Sequence, residues 1–557
     1  MMEGTEIKKE ETGNEKIGRE ETNKEKVYET EAYRQVILSF ESQHSYKNPF
    51  MDCLIEVIFQ GPSGRKIVRE AYWDGENTYR VAFAPTEIGA WEYCLTAPEE
   101  TGLNGVKGSV ECVPYEGNLE IYRHGFLKIS NDKRYFTYAD GTPFFWLGDT
   151  HWEFCYREKW DESNYPEMDS MFKGMIDRRV RQGYTIYQTN LRSDKIMGGE
   201  AYYWEKPGVP NVKFYQEELD RRMYYLADQG IVNALGFAWF MSIENQVETY
   251  QQLARYIIAR YGALPMVWTL AGEVGGYDKA KQPFYVDEWR KVALLVQKLD
   301  SYHHPRTAHY TNERPFPSYY QKEEWFDFTL NQAGHGDYVV SMDDYKGFLE
   351  EYGNKPFVEG EALYEFCSTL EENGTRMCTD AMLRRVAYMT MQAGGCGYTY
   401  GAQGIWDVYY EKGQKNPMAV FNRFEITWHE AIDGPGGYQM GYFRQFYEDQ
   451  KFWELYPYQA EKDAAGDPFG KKLPFITVSE DRKHWVFYYS ESTRKSGIIQ
   501  EIPNGSYTMQ WFNPRTGEYE TGKTEFTVED NTWKIPSKPD LSDWCLVIKE
   551  KQVHCNQ

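Results

Sequence analysis

Between about residues 125 and 460, short apolar segments alternate with longer segments in which apolar residues recur every three or four positions. The short segments are typical of buried parallel strands, and the long ones, such as VETYQQLARYIIARYG, are typical of amphipathic helices. Eight strand–helix units over roughly 335 residues predict an α/β fold, namely a closed (β/α)₈ TIM barrel with some long loops. The predicted strands lie at 143–152, 184–190, 231–239, 265–273, 306–310, 326–335, 356–361 and 394–400.

A doubly wound open sheet is the alternative fold for the same alternation. Such a sheet, when it binds a dinucleotide, carries a G-x-G-x-x-G turn after its first strand. The first predicted strand here, PFFWLGDTHW, is not followed by that motif. The barrel is therefore the favoured interpretation.

The regions on either side of the barrel read as β structure. Short strands such as CLIEVIF and TYRVAFAP recur about every ten residues and predict an N-terminal immunoglobulin-like β-sandwich at 28–118. The barrel then occupies 119–465, and a similar pattern predicts a C-terminal β-sandwich at 466–557. Residues 1–27 are almost all charged or polar, which predicts a disordered tail.

Charge and composition exclude several classes of partner. A formal net charge of −23 disfavours nucleic acid and anionic membrane surfaces, because their phosphates would be repelled. No run of 18 apolar residues suggests a membrane span. The first residues have no apolar segment typical of a signal peptide, and the nine cysteines form no CxxC pair, so we expect a cytoplasmic protein with reduced thiols. The sequence leaves open whether the chain forms a homo-oligomer.

Polar and aromatic residues stand at the carboxyl ends of the predicted strands, where a barrel of this class places its active site. Carboxylates and amides bind sugar hydroxyls, and indole rings stack on the C–H faces of sugars. We therefore expect an oligosaccharide or glycoside substrate. The predicted substrate-binding residues are Asp149, His151, Trp152, Gln188, Asn190, Trp239, His309, Gln332, His335, Tyr364, Glu365, Tyr400 and Trp406.

Two carboxylates stand out at the ends of the fourth and seventh strands. Glu273 ends MVWTLAGE, and Glu361 lies in KPFVEGEALYE. A pair of this kind can divide the acid and nucleophile roles of glycosidic cleavage, with a spacing of roughly 5–5.5 Å for retention and roughly 6.5–9.5 Å for inversion. Each could instead cap a helix or pair with an arginine. Glu359 is expected to point to the same side as Glu361, which lies nearer the mouth.

Several motifs together resemble the apiosidase-like family of glycoside hydrolases, namely FFWLGDTHWE, WTLAGE, NQAGHG, KPFVEGEALYE and WHEAIDGPGGYQM. The resemblance implies a (β/α)₈ retaining glycosidase with flanking β domains, in which Glu273 is the acid/base and Glu361 the nucleophile. It also places Asp149, Trp152, His335, Tyr364 and Glu365 around the substrate. Where the family pattern resembles Gly-Gly-Asp, this chain has Ala271-Gly272-Glu273, which indicates a differently shaped sugar.

The leading hypothesis is a retaining glycosidase without metal or cofactor, exo-acting on a short plant or host glycan fragment. A metal-dependent barrel hydrolase would typically need an HxH at a strand end, and no HxH occurs in the chain. A non-catalytic carbohydrate-binding protein on a degenerate barrel is the other alternative. The presence of both candidate acids counts against it.

Overall fold

The computed structural model describes residues 27–155, 157–191, 202–335, 342–353, 355–368, 376–415, 421–458, 473–494 and 497–551. The predicted disordered tail lies outside these residues, apart from Val27, which begins the first strand.

The N-terminal region forms two sheets, one of five strands in the order β1-β8-β7-β3-β4 and one of three in the order β2-β6-β5. Strand residues alternate between buried and exposed, so each sheet has one apolar face. Phe59 of one sheet stacks on Phe83 of the other with ring centroids 3.8 Å apart, so the apolar faces pack together. The elements are β1 (Val27–Glu31), β2 (Val36–Glu41), α1 (Pro49–Asp52), β3 (Glu56–Gln60), β4 (Lys66–Glu70), β5 (Tyr72–Trp73), β6 (Thr78–Phe83), β7 (Gly89–Thr96) and β8 (Lys107–Val113).

A short helix, α2 (Glu120–Arg123), and a small antiparallel sheet follow, made of β9 (Lys128–Ile129), β10 (Phe136–Thr137) and β11 (Pro143–Phe144). Phe136 of this sheet packs on Trp146 and Phe328, with ring centroids 5.3 and 4.9 Å away. These rings cover the amino ends of the neighbouring strands. At the opposite, carboxyl end Glu273 is partly exposed and Tyr277 is half exposed, so that end is the open one.

The central region is a seven-stranded parallel sheet that nearly closes on itself, in the order β17-β16-β13-β12-β20-β19-β18. Its strands are almost wholly buried, because helices cover the outside. The elements are β12 (Trp146–Thr150), α3 (Met171–Arg181), β13 (Ile186–Asn190), β14 (Trp204–Lys206), β15 (Val209–Pro210), α4 (Val212–Phe214), α5 (Asp220–Asp228), β16 (Val232–Trp239), α6 (Val247–Tyr261), β17 (Met266–Gly272), α7 (Gln282–Leu299), β18 (Thr329–Gln332), α8 (Met342–Tyr352), β19 (Phe357–Glu361), α9 (Asp380–Gln392), β20 (Gly397–Tyr400), α10 (Trp428–Ala431) and α11 (Pro435–Asp449).

The predicted fifth strand, 306–310, is not a regular strand in the structure. It lies between β17 and β18 and makes only isolated parallel bridges, from Arg306 to Trp268, from Tyr310 to Val274 and from His309 to Leu330. The seven residues from Trp268 to Val274 thus oppose the five from Arg306 to Tyr310. Leu270 and Glu273 adopt left-handed backbone conformations, with φ of 58° and 52°, and this bulge interrupts the ladder.

A chain of hydrogen bonds crosses the barrel interior. The Trp146 indole donates to Thr399 Oγ1 at 3.0 Å, and that hydroxyl donates to Gln188 Oε1 at 2.9 Å. The Gln188 amide in turn donates to the carbonyl of Gly360 at 2.8 Å. The chain ties four strands together and gives the buried polar atoms of Gln188 their partners.

The C-terminal region is a seven-stranded sheet, in the order β21-β22-β23-β29-β25-β26 with β27 paired to β25, and a two-stranded sheet of β24 and β28. Arg384 of α9 binds both carboxylate oxygens of Asp543 at 2.8 and 3.0 Å, which fastens this region to the barrel. The strands are β21 (Leu455–Tyr458), β22 (Phe475–Ser479), β23 (His484–Tyr489), β24 (Ile498–Gln500), β25 (Gly505–Asn513), β26 (Glu518–Tyr519), β27 (Thr524–Val528), β28 (Thr532–Lys534) and β29 (Trp544–Glu550).

In the described part of the chain, none of the helices combines the length and the apolarity that crossing a membrane requires.

Candidate active site

A register shift in β19 turns Glu361 toward the open end of the barrel. Asn331 pairs with Glu359, but the next residue, Gln332, pairs with Glu361, so Gly360 is an extra residue in the ladder. A Cβ at Gly360 would stand 2.4 Å from the Leu330 side chain, so the tight bulge favours glycine. The two glutamates therefore do not share a face, contrary to the period-two expectation.

Glu359 lies in a separate buried network among the helices. It accepts hydrogen bonds from Asn331 Nδ2 at 2.7 Å, from the Ala333 backbone N–H at 2.8 Å and from the Tyr345 hydroxyl at 2.7 Å. Burial nevertheless outweighs these donors and raises the pKa of Glu359 to about 7. No described contact joins Glu359 to Glu361, so Glu361 is the acid that reaches the mouth.

Two histidines hold Glu361 in its ionised form. His335 Nε2 is 2.8 Å from Oε1, and His309 Nε2 is 3.1 Å from Oε2, although off the line of a straight hydrogen bond. Burial alone would raise the pKa of Glu361, but hydrogen bonding from His309 and His335 outweighs it and lowers the pKa to about 2. Glu361, only 4% exposed, is thus a carboxylate at neutral pH.

Glu273 has the opposite tendency. It is partly buried just after β17, and burial, followed by the negative charge of Glu361, raises the pKa of Glu273. Its Oε1 accepts hydrogen bonds from the Tyr277 hydroxyl at 2.5 Å and from Gln332 Nε2 at 3.2 Å. Because both donors point at Oε1, Oε2 is the oxygen that is free to carry a proton.

His309 connects the two glutamates. Its Nδ1 accepts a hydrogen bond from the backbone N–H of Glu273 at 3.3 Å, so the proton of the neutral ring is assigned to Nε2, which faces Glu361. One imidazole therefore fixes the backbone of one acid and stabilises the charge of the other. The left-handed backbone at Glu273 is held within this network, as strained residues at active sites often are.

Aromatic rings form one wall beside Glu361. The Trp152 indole donates to the Tyr364 hydroxyl at 2.9 Å, and its ring lies 5.5 Å from His309. The Tyr364 ring lies 4.5 Å from His335 and 5.8 Å from Trp406. A Cβ at position 401 would stand 2.1 Å from the Tyr364 ring, so Gly401 provides the space that this ring fills.

Buried polar atoms without a protein partner collect at the same end. Among the described residues these include Asn190 Nδ2, the Trp239 indole nitrogen and Gln332 Oε1. Asn190 and Trp239 both pack on Gly272, where a Cβ would stand 2.7 Å from the amide and 2.5 Å from the indole ring. Unpartnered buried donors and acceptors beside a pair of carboxylates are suited to the hydroxyl groups of a ligand.

Four of the predicted substrate-binding residues face the helices instead. Asp149 binds Arg179 of α3 at 2.7 Å and His151 at 2.9 Å, and His151 stacks on Tyr187. Tyr400 donates to Glu365, whose other oxygen accepts from the backbone N–H of Gly436 in the first turn of α11. Strand residues alternate, so Asp149 and His151 cannot share the face of Trp152. Gln188 is the fifth predicted residue that does not join the site. It lies inside the barrel, but its side chain is already hydrogen-bonded to Thr399 and Gly360.

The structure therefore brings together Trp152, Asn190, Trp239, Glu273, His309, Gln332, His335, Glu361, Tyr364 and Trp406 from the predicted set. Sequence reasoning missed Tyr277, which donates to Glu273. Its signal was the run Val-Gly-Gly-Tyr after the acid, since two glycines allow the chain to turn back toward it. No cluster of three or more metal-ligating side chains occurs within the described ranges.

This barrel has the architecture of the glycoside hydrolases, with two carboxyl groups at its open end whose pKa values are shifted in opposite directions. Solved structures with the same fold include a "putative glycoside hydrolase" from Bacteroides vulgatus, with a TM-score of 0.70 and 17% identity over 94% of this chain and 100% of that one. A second, called a glycoside hydrolase, has a TM-score of 0.63 and 21% identity over 77% and 98% of the two chains. A family 5 glycoside hydrolase from the same Bacteroides has a TM-score of 0.62 and 20% identity over 78% and 95%.

The particular family follows from the sequence profile. Residues 130–454 match the apiosidase-like catalytic domain, and the chain belongs to that family of glycoside hydrolases. Residues 29–97 match a domain of unknown function, and residues 468–549 match a family described as "putative collagen-binding domain of a collagenase". No curated protein matches the chain.

Proposed function

We propose that this protein is a retaining glycosidase in which Glu361 is the nucleophile and Glu273 the acid/base. The observation that supports the proposal is that the pKa values of two carboxyl groups joined through His309 are shifted in opposite directions. Two histidines lower the pKa of Glu361 to about 2, whereas burial and the charge of Glu361 raise the pKa of Glu273. When their surroundings shift the pKa values of two acids in opposite directions, the acid with the lower pKa is suited to be the nucleophile and the other the proton donor.

In the first step the Glu361 carboxylate attacks the anomeric carbon, and the bond to the leaving oxygen breaks. Glu273 transfers the proton on Oε2 to that oxygen, so the leaving group departs neutral. The product of this step is a glycosyl ester of Glu361. Glu273 is then ionised, and the Tyr277 and Gln332 donors stabilise its carboxylate.

In the second step Glu273 takes a proton from a water molecule, and the water oxygen attacks the same carbon. The ester bond to Glu361 breaks, and the carboxylate returns to its contacts with His309 and His335. Because both steps invert the anomeric centre, the sugar is released with the configuration it had in the substrate.

The sugar that carries the anomeric carbon would lie against Trp152, Tyr364 and Trp406. Their rings offer an apolar surface next to Glu361, and Asn190 Nδ2 and the Trp239 indole offer donors for hydroxyl groups. We propose a short plant or host glycan fragment as substrate, cleaved from its end. The longer acid in Ala271-Gly272-Glu273 favours a sugar other than apiose.

The test is a panel of nitrophenyl glycosides and plant oligosaccharides, with the configuration of the released sugar followed by NMR. Retention is expected, with one monosaccharide released per cleavage. A matching 2-deoxy-2-fluoro glycoside should label Glu361, as peptide mass spectrometry would show. An inverted product, or a label on another residue, would overturn the assignment.

A further inference from the structure

A partly exposed aromatic surface begins at Tyr277, whose hydroxyl binds Glu273. Tyr277 is 50% exposed and Phe284 is 44% exposed, whereas Trp152 and Tyr364 are 3% and 1% exposed. Large apolar side chains that remain exposed beside a catalytic cleft are candidates for ligand contact. We name Phe240, Tyr277 and Phe284, together with Tyr285 beneath them, the outer ledge.

The rings of the outer ledge form a connected series. Phe240 meets Tyr277 edge to face at 6.5 Å and Tyr285 edge to face at 5.0 Å. Phe284 meets Tyr285 at 5.6 Å. The series begins at Tyr277, whose hydroxyl binds Glu273 Oε1, so the ledge starts at the acid that donates to the leaving oxygen.

The ledge is rigid for a structural reason. The loop from Glu273 to Tyr277 passes between the Phe240 and Tyr319 rings through two glycines with positive φ. A Cβ at Gly276 would stand 2.3 Å from Phe240, and one at Gly275 would stand 2.7 Å from Tyr319. The backbone at these positions therefore touches both rings, which fixes Tyr277 relative to Glu273 before any ligand arrives.

Two of the acids near the ledge are paired with lysines. Glu244 binds Lys281 at 3.0 Å and also accepts a hydrogen bond from the Tyr285 hydroxyl. Glu313 binds Lys279 at 2.6 Å and accepts from the Tyr319 hydroxyl at 3.2 Å. Asp278, next to Tyr277, accepts a hydrogen bond from the Ala280 backbone N–H and has no lysine or arginine partner among the described contacts, so the surface around the rings disfavours an anionic ligand.

We propose that the outer ledge is the binding site for the leaving group, and that it takes a neutral group with a flat apolar face. A phenolic ring and the C–H face of a sugar share this chemistry. The proposal rests on the proposed function, because it places the leaving group on the side of Glu273. It adds that Phe284 and Phe240 determine which leaving groups are accepted.

The test uses Phe284→Ala with two substrates that carry the glycone selected by the panel, a 4-methylumbelliferyl glycoside and the glycosyl fluoride. The fluoride has no ring to stack on the ledge. We expect kcat/KM to fall roughly tenfold on the aryl glycoside, mainly through KM, and to stay within about twofold on the fluoride. Leu294→Ala is the matched control, because Leu294 is 49% exposed on the same helix, about 15 Å further along it.

A disaccharide with the same glycone distinguishes a sugar leaving group from a phenolic one. A loss confined to the aryl glycoside assigns a phenolic leaving group, and an equal loss on the disaccharide assigns a sugar. Tyr277→Phe keeps the ring and removes the donor to Glu273, so it should move the basic limb of the pH profile to higher pH without changing the preference between leaving groups.

The outcomes separate the ledge from the proposed function. Equal losses on the fluoride and the aryl glycoside, or no loss on either, would overturn the ledge while leaving the catalytic assignment standing. A wild-type enzyme that hydrolyses neither substrate nor any member of the panel would instead overturn the proposed function itself.

Discussion

Two buried clusters of charged and aromatic residues occupy the same end of the barrel, one inside it and one between the strands and the helices. The inner cluster consists of Glu273, His309, Gln332, Glu361 and Tyr364. The outer cluster consists of Asp149, His151, Arg179, Glu365 and Tyr400. Both are built mainly from residues at or just after strand ends, to which α3 adds Arg179 in the outer cluster, and both contain acids, imidazole and tyrosine.

The clusters differ in what their charges face. In the outer cluster Asp149 has Arg179 at 2.7 Å, and Glu365 accepts a backbone N–H of a helix N-terminus. In the inner cluster the two acids have no arginine or lysine partner among the described contacts. Gln332 Oε1 has no hydrogen-bond partner among them. Buried charges paired with an arginine hold elements together, whereas neighbouring acids without an arginine or lysine partner suit chemistry.

The largest effect is expected for Glu361→Gln in the inner cluster. The amide has nearly the same shape but cannot attack the anomeric carbon, so kcat should fall on the order of 10⁵-fold. Steady-state kinetics on the best panel substrate measures the loss, and circular dichroism should show an intact fold. Turnover within tenfold of wild type would contradict the nucleophile assignment.

Glu273→Gln should cost less and should depend on the leaving group. Loss of the general acid lowers kcat roughly 10²- to 10⁴-fold for a poor leaving group. A dinitrophenyl glycoside needs no proton for its departure, so the loss on it should be much smaller in the glycosylation step. Azide should restore turnover and give a glycosyl azide of retained configuration. A loss that is uniform across leaving groups would remove Glu273 from the acid role.

Asp149→Asn tests the outer cluster, where we expect a loss of stability instead of catalysis. The amide leaves Arg179 buried without its counter-charge, which typically costs about 3–5 kcal/mol. Urea unfolding measures this loss, and kcat of the folded fraction should remain within a few-fold of wild type. A large fall in kcat at unchanged stability would mean that Asp149 contacts the substrate, as the sequence suggested.

Glu359→Gln is the closest control for Glu361→Gln, since the two positions are separated only by Gly360. Glu359 accepts from three donors, and an amide can accept with only one of its two terminal atoms. We expect a loss of about 1–3 kcal/mol in unfolding free energy with kcat little changed. If this variant lost turnover as severely as Glu361→Gln, the separation of the two acids by the bulge would be wrong.

The sequence predicted which segments form strands and where the two acids lie along them, because hydrophobic periodicity reports burial. It did not predict which side each strand-end residue faces. Period-two alternation already separates Asp149 from Trp152, so the outer position of Asp149 could have been anticipated. The bulge at Gly360 and the left-handed backbone at Leu270 and Glu273 change which side of the strand the following residues face. No residue pattern in those segments predicts these backbone conformations.

The interrupted strand at 306–310 and the position of Tyr277 escaped prediction for related reasons. The segment reads as a strand, yet the bulge in β17 breaks its ladder. Tyr277 acts on Glu273 only because two glycines with positive φ turn the loop back. In both cases the decisive interaction depends on local backbone geometry, and periodicity carries no information about it.

The smallest effect should be a shift in the pH profile that distinguishes the clusters. Activity requires Glu361 ionised and Glu273 protonated. With the pKa of Glu361 lowered to about 2, no acid limb is expected near neutral pH, and kcat/KM should fall about tenfold per unit as pH rises through the raised pKa of Glu273.

Gln332→Leu removes a donor that stabilises the ionised Glu273, so the basic limb should move to higher pH. Tyr400→Phe removes a donor to Glu365 in the outer cluster and should leave the limb in place. If the basic limb moved with Tyr400→Phe but not with Gln332→Leu, the titrating group would belong to the outer cluster, and Glu273 would not be the acid.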